Sequence, residues 1–107
     1  MALGLRRPAE RPTALDPEEV AFSQLFGTLA ANPSVQIIAV DDLNRYIDLW
    51  IRMGDDDEAN EMAVYDAISE YHNSEGVTTP IDEHLLLAHE PDSYFPKNLP
   101  VMFRRRS

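Results

Sequence analysis

The sequence predicts a mainly α fold: a small domain of three to four helices, with at most one short strand pair and extended N- and C-terminal arms. Three observations lead there. Apolar residues recur at helical spacing through the middle of the chain, residues suited to capping stand just before those stretches, and at both ends prolines and arginines replace the periodicity. With 107 residues, 44% of them apolar, there is material for one modest core and not for two. The expected division is a basic, proline-containing arm at 1–15, an acidic helical domain at 16–90 and a proline-containing tail with a basic end at 91–107.

The first helix is expected at 17–31. Asp16 suits the cap, Pro17 takes the first helical position, where a missing N–H costs nothing, and Glu18 and Glu19 suit the positive end of the dipole. Phe22, Leu25, Phe26 and Leu29 then form one apolar stripe, and Asn32-Pro33 ends it. Residues 35–40, Val-Gln-Ile-Ile-Ala-Val, fit either a strand or extended lead-in, which their β-branched content slightly favours, or the first turns of the following helix. A strand there needs a partner from 77–79 or 99–103, failing which its edge is open to another chain.

A second helix is expected from Asp41 or Asp42 to Met53 on the stripe Leu43, Tyr46, Ile47, Trp50 and Met53, with Gly54 as its stop. Trp50 would anchor the core, and Asp48 and Arg52 would pair at i, i+4 on the far side. A third helix, from the acid run 55–58 to Tyr71 or Asn73, would bury Val64, Ala67, Ile68 and Tyr71. Thr79-Pro80 would open a short fourth helix through Ile81, Leu85 and Ala88, ending before Pro91.

Charge is segregated along this frame. Residues 13–95 carry 18 acids against Arg45 and Arg52, a balance of −16, while the two ends carry one acid against seven bases, so the chain totals −10. Such a field governs partners and association rate rather than fold. The absence of cysteine excludes disulfides, thiolate metal sites and cysteine nucleophiles. No apolar run reaches the roughly 20 residues of a membrane span, and the first residues lack the apolar stretch of a secretory signal. A soluble, cytoplasmic chain without a membrane partner is expected.

No catalytic, cofactor or metal pattern holds against the residues. Read as an EF-hand from Asp55, the acid run places Ala59 at the fifth position, Asn60 at the glycine position and Asp66 at the twelfth. On a helix, His84 and His89 at i, i+5 turn about 140° apart, the wrong spacing for a metal pair. There is no Gly-x-Ser-x-Gly elbow, and the four glycines at 4, 27, 54 and 76 form no phosphate loop. No enzyme activity, cofactor or metal is expected.

The candidate partner-binding residues lie in two places. Glu58, Met62, Tyr65 and Asp66 fall on the face of the third helix opposite its core stripe, so a methionine and a tyrosine stand among acids where solvent ought to be. Tyr94, Phe95 and Phe103 belong to the tail, free either to fold back or to dock on another chain. The expected function is a non-enzymatic acidic protein-binding module, an adaptor, inhibitor or accessory subunit, that engages a basic partner surface. Two alternatives stand beside it: a self-assembling subunit of a viral or cellular particle with exchanged arms, and an inhibitor whose carboxylates imitate DNA phosphates. Direct nucleic-acid binding through residues 104–106 is disfavoured, because phosphate would repel the acidic body.

Overall fold

A computed structural model describes residues 16–106; the arm expected at 1–15 lies outside them. The fold is α/β, with a four-stranded mixed sheet and two α-helices, which corrects the expected mainly α domain of three to four helices. The elements run α1 (Pro17–Ala31), β1 (Val35–Asp42), β2 (Ile47–Met53), α2 (Glu58–His72), β3 (Ile81–Leu86), a single 3₁₀ turn (Asp92–Tyr94) and β4 (Val101–Arg104). The sheet order is β3-β2-β1-β4. β1 pairs antiparallel with β2 and β4, and β2 pairs parallel with β3 across α2.

The first helix stands where its signals place it. The Asp16 carboxylate accepts from the Glu18 N–H at 2.9 Å, and Leu25 and Leu29 are buried. The strand lead-in at 35–40 extends to Asp42 and finds its partner in the tail, where Ile38 faces Phe103 and Ile37 faces Arg104. The second expected helix is absent, and a turn and a strand occupy its residues. Asp42 turns the chain by accepting the Asn44 N–H at 3.0 Å, and Asn44 adopts a left-handed φ of 74°, a conformation asparagine tolerates. The return strand β2 alternates, with Leu49, Ile51 and Met53 on the core face and Trp50 and Arg52 on the other. Trp50 is therefore half-buried outside the main core, and Asp48 and Arg52, on one face of a strand, do not form the expected helical pair.

The acid run opens α2 as expected, with Asp57 as the cap accepting from the Asn60 N–H at 3.1 Å. Asp55 is tied down by the Ser34 hydroxyl at 2.7 Å, and Ser34 in turn accepts from the Asn60 amide at 2.8 Å, so the start of α2 is stitched to the start of β1. These donations hold the Asp55 carboxyl below its ordinary pKa, the Ser34 bond first and the Asp57 N–H second. Residues 81–86, expected as the fourth helix, form β3. A β-α-β unit puts its second strand beside the first, and the Ile47 N–H donates to the Pro80 carbonyl at 2.9 Å to set that register.

Both helices contribute to one core with the sheet face of Ile38, Leu49 and Ile51, and all three of these residues are essentially inaccessible. The segment after β3 crosses the opposite face. Arg52 donates to the Leu87 and Glu90 carbonyls and pairs with Asp92 at 2.9 Å, while Phe95 meets Trp50 edge-on at 6.0 Å. Among the described residues no helix is long and apolar enough to cross a membrane.

Candidate functional site

The first half of α1 does not close fully over the hairpin end of the sheet, and a groove of about 570 Å³ remains there. Phe22 and Phe26, one helical turn apart, form one wall. Val40 of β1, Ile47 of β2 and Met102 of β4 form the other. Phe22, Phe26, Val40 and Ile47 are only half-buried, because each packs on the core with one side and faces the groove with the other. Tyr71 closes the base, with its ring edge-on to Phe22 at 6.2 Å and its hydroxyl donating to the Thr79 carbonyl at 3.3 Å.

The rim is acidic. Asp16, Glu18, Glu19 and Asp42 line the groove, and no lysine or arginine among the described residues does. Glu18 is fixed in place by accepting the Thr78 N–H at 2.8 Å and the Thr79 N–H at 2.6 Å, which fastens α1 to the segment before β3. Those bonds, Thr79 before Thr78, stabilise the carboxylate and lower its pKa. The opposite effect reaches the groove base. Tyr71 has its phenol pKa raised, by burial first and then by the charges of Glu18 and Asp42, so the negative field of two rim residues converges on the groove.

The expected partner-binding residues fall in three places rather than two, because the tail residues are divided between the two faces of the sheet. Glu58, Met62, Tyr65 and Asp66 do share the outer face of α2, with Met62 57% and Tyr65 45% exposed, and nothing described covers them. Tyr94 is exposed on the far side of the sheet beside Phe95, which is half-buried against Trp50. Phe103 packs under the helices as part of β4. In the sequence Phe22, Phe26, Ile47 and Tyr71 belong to three separate helix stripes, Val40 to the lead-in at 35–40 and Met102 to the tail, and a signal for the site is present in the acids at 16, 18 and 19 beside Phe22 and Phe26. Their convergence requires the sheet. Comparison with protein families, with curated proteins and with solved structures finds no match.

Proposed function

We propose that this chain is a non-enzymatic protein-binding module, acting as an adaptor, inhibitor or accessory subunit, whose acid-rimmed groove receives a basic segment of a partner protein that also carries apolar side chains. The observation that supports it is the coincidence of an apolar floor with a one-signed rim: Phe22, Phe26, Val40 and Ile47 below, Asp16, Glu19 and Asp42 above. Apolar contact supplies affinity there, and the carboxylates speed encounter and select for positive charge. Leu43 and Tyr46, exposed in the adjoining hairpin turn, extend the apolar surface.

The test uses a synthetic peptide of interspersed arginines and leucines and follows its anisotropy against the full chain at low and high salt. Salt-sensitive binding that is lost on Glu19→Lys with Asp42→Lys and kept on Glu58→Lys with Asp66→Lys supports the groove. The reverse pattern returns the site to the outer face of α2 and overturns the groove. A chain starting at Asp16 is run beside the full one, and binding that appears only after residues 1–15 are removed assigns the groove to the chain's own arm instead.

The self-assembly reading draws support from the two sheet edges, which differ in charge. β3 at one edge carries Asp82 and Glu83, whereas β4 at the other carries Arg104 and continues into Arg105 and Arg106. Opposite edges attract and like edges repel, which favours head-to-tail contact. Mass in solution that falls as salt rises supports this reading, and a monomer at every salt concentration removes it.

A further inference from the structure

On the sheet face away from the helices, β2 and β3 bring together three side chains that are far apart in sequence. The register sets Asp48 beside Asp82 and Trp50 beside His84. Asp82 and His84, two apart on a strand, point the same way. The His84 ring stacks on Trp50 with centroids 4.2 Å apart and planes 14° from parallel, and its Nε2 lies 3.1 Å from Asp48 Oδ1 and 3.2 Å from Asp82 Oδ2.

The cluster is frustrated as it stands. One ring nitrogen faces two carboxylate oxygens and carries at most one hydrogen. Nε2 is in hydrogen-bonding geometry with Asp82 Oδ2, while Asp48 Oδ1 is buried without a hydrogen-bond partner. If the nitrogen carries no hydrogen, its lone pair faces both carboxylates and neither is served. Among the described residues His84 is the sole basic group within ion-pair distance of either acid, since Arg52 on the same face is committed to Asp92 and two carbonyls. A cation satisfies all three atoms at once.

We infer that Asp48, Asp82 and His84 form a site for a first-row divalent cation, zinc being the best fit to one imidazole and two carboxylates. Metal–ligand bonds of about 2.0–2.2 Å at tetrahedral angles set ligand atoms about 3.3–3.5 Å apart. The separations of 3.1 and 3.2 Å to Nε2 are within a few tenths of an ångström of that, and all three ligand atoms lie within 4.8 Å of one another. The stacked indole of Trp50 limits the tilt of the imidazole plane. Three protein ligands leave the fourth position to solvent, and the ion would pin the parallel β2–β3 pair at its open edge.

Trp50, the one tryptophan of the chain, makes the site self-reporting. The full chain, freed of metal by chelation, is titrated with Zn²⁺ by calorimetry, and with Cu²⁺ while tryptophan emission is followed. The expected result is one strong site per chain, quenching of Trp50 by Cu²⁺, and at least about a tenfold loss of Zn²⁺ affinity in both Asp48→Asn and His84→Gln. His89→Ala, which removes the histidine 3.5 Å from Asp56, is expected to leave the titration unchanged. Asp48→Asn keeps the side-chain shape, and circular dichroism checks that each variant is folded. No saturable Zn²⁺ uptake, or uptake that survives both substitutions, overturns the inference; the groove is untouched by either outcome.

Discussion

Replacing Arg105 with alanine tests how the tail is held to the body. The guanidinium donates to the Ala30 carbonyl at 2.7 Å, to Asn32 at 2.9 Å and through Nε to Val35 at 2.9 Å, and its carbon lies 5.3 Å from the Phe103 ring centre. It thus serves carbonyls left over at the end of α1, where a cation also meets the negative end of the helix dipole. A hydrogen bond from a charged donor contributes about 1.5–3 kcal/mol. Arg105 is half-exposed and water can replace part of what it provides, so the set is worth about 2 kcal/mol rather than three full bonds. At about 4–8 °C per kcal/mol for a domain of this size, the midpoint should fall roughly 8–16 °C in a thermal melt. Urea unfolding should show a lower midpoint at unchanged slope. Arg105→Lys should recover only part, because an ammonium lacks the planar fork that reaches three carbonyls. Arg104→Ala, at the exposed neighbouring position that ends β4, should stay within about 0.5 kcal/mol of the parent. If Arg105→Ala behaves like Arg104→Ala, the tail is not anchored in this way and the reasoning fails.

Three further outcomes are expected. Gly76 has a φ of +86°, and a Cβ there would stand 2.8 Å from Pro17 Cβ, so Gly76→Ala should cost at least about 1–3 kcal/mol in urea unfolding. Glu18 has a lowered folded-state pKa, so its contribution is fully present above its unfolded value of about 4.5 and is lost as pH falls through the lower folded value. Urea midpoints measured across that acidic window should fall less steeply for Glu18→Gln than for the parent. Leu49→Ala empties a site 1% exposed on the core face of β2 and should cost about 2–5 kcal/mol, whereas Arg45→Ala in the exposed turn should change stability by no more than about 0.5 kcal/mol. Equal effects at the two positions would be inconsistent with the strand assignment.

The second and fourth expected helices give way to strands for a definable reason. Ile47, Trp50 and Met53 fit a helical stripe with Leu43 and Tyr46, yet Ile47, Leu49, Ile51 and Met53 also alternate with Asp48 and Arg52 at the period of a strand. Both patterns are real in one dimension. The Asp42–Asn44 turn, with the pairing to β1 beyond it, selects the second. β3 is only six residues long and carries Asp82, Glu83 and His84 in succession, so it has no alternating signature to read. Its extended form comes from parallel pairing with β2. The histidine spacing misleads for the same reason: the separation of His84 from His89 matters only on a helix, whereas on a strand the relevant neighbour is Asp82, two residues away.

From the residues alone come the ends and faces of α1 and α2, the concentration of negative charge in the body, and a choice between strand and helix at 35–40 that pairing with β2 and β4 decided. Those features depend on local capping, periodicity and composition, which the chain carries wherever it folds. The sheet order, the groove between α1 and the hairpin, and the meeting of Asp48, Asp82 and His84 were decided by tertiary structure. Each joins side chains from strands or helices separated by tens of residues, and such contacts exist only after backbone hydrogen bonding between strands has chosen a register.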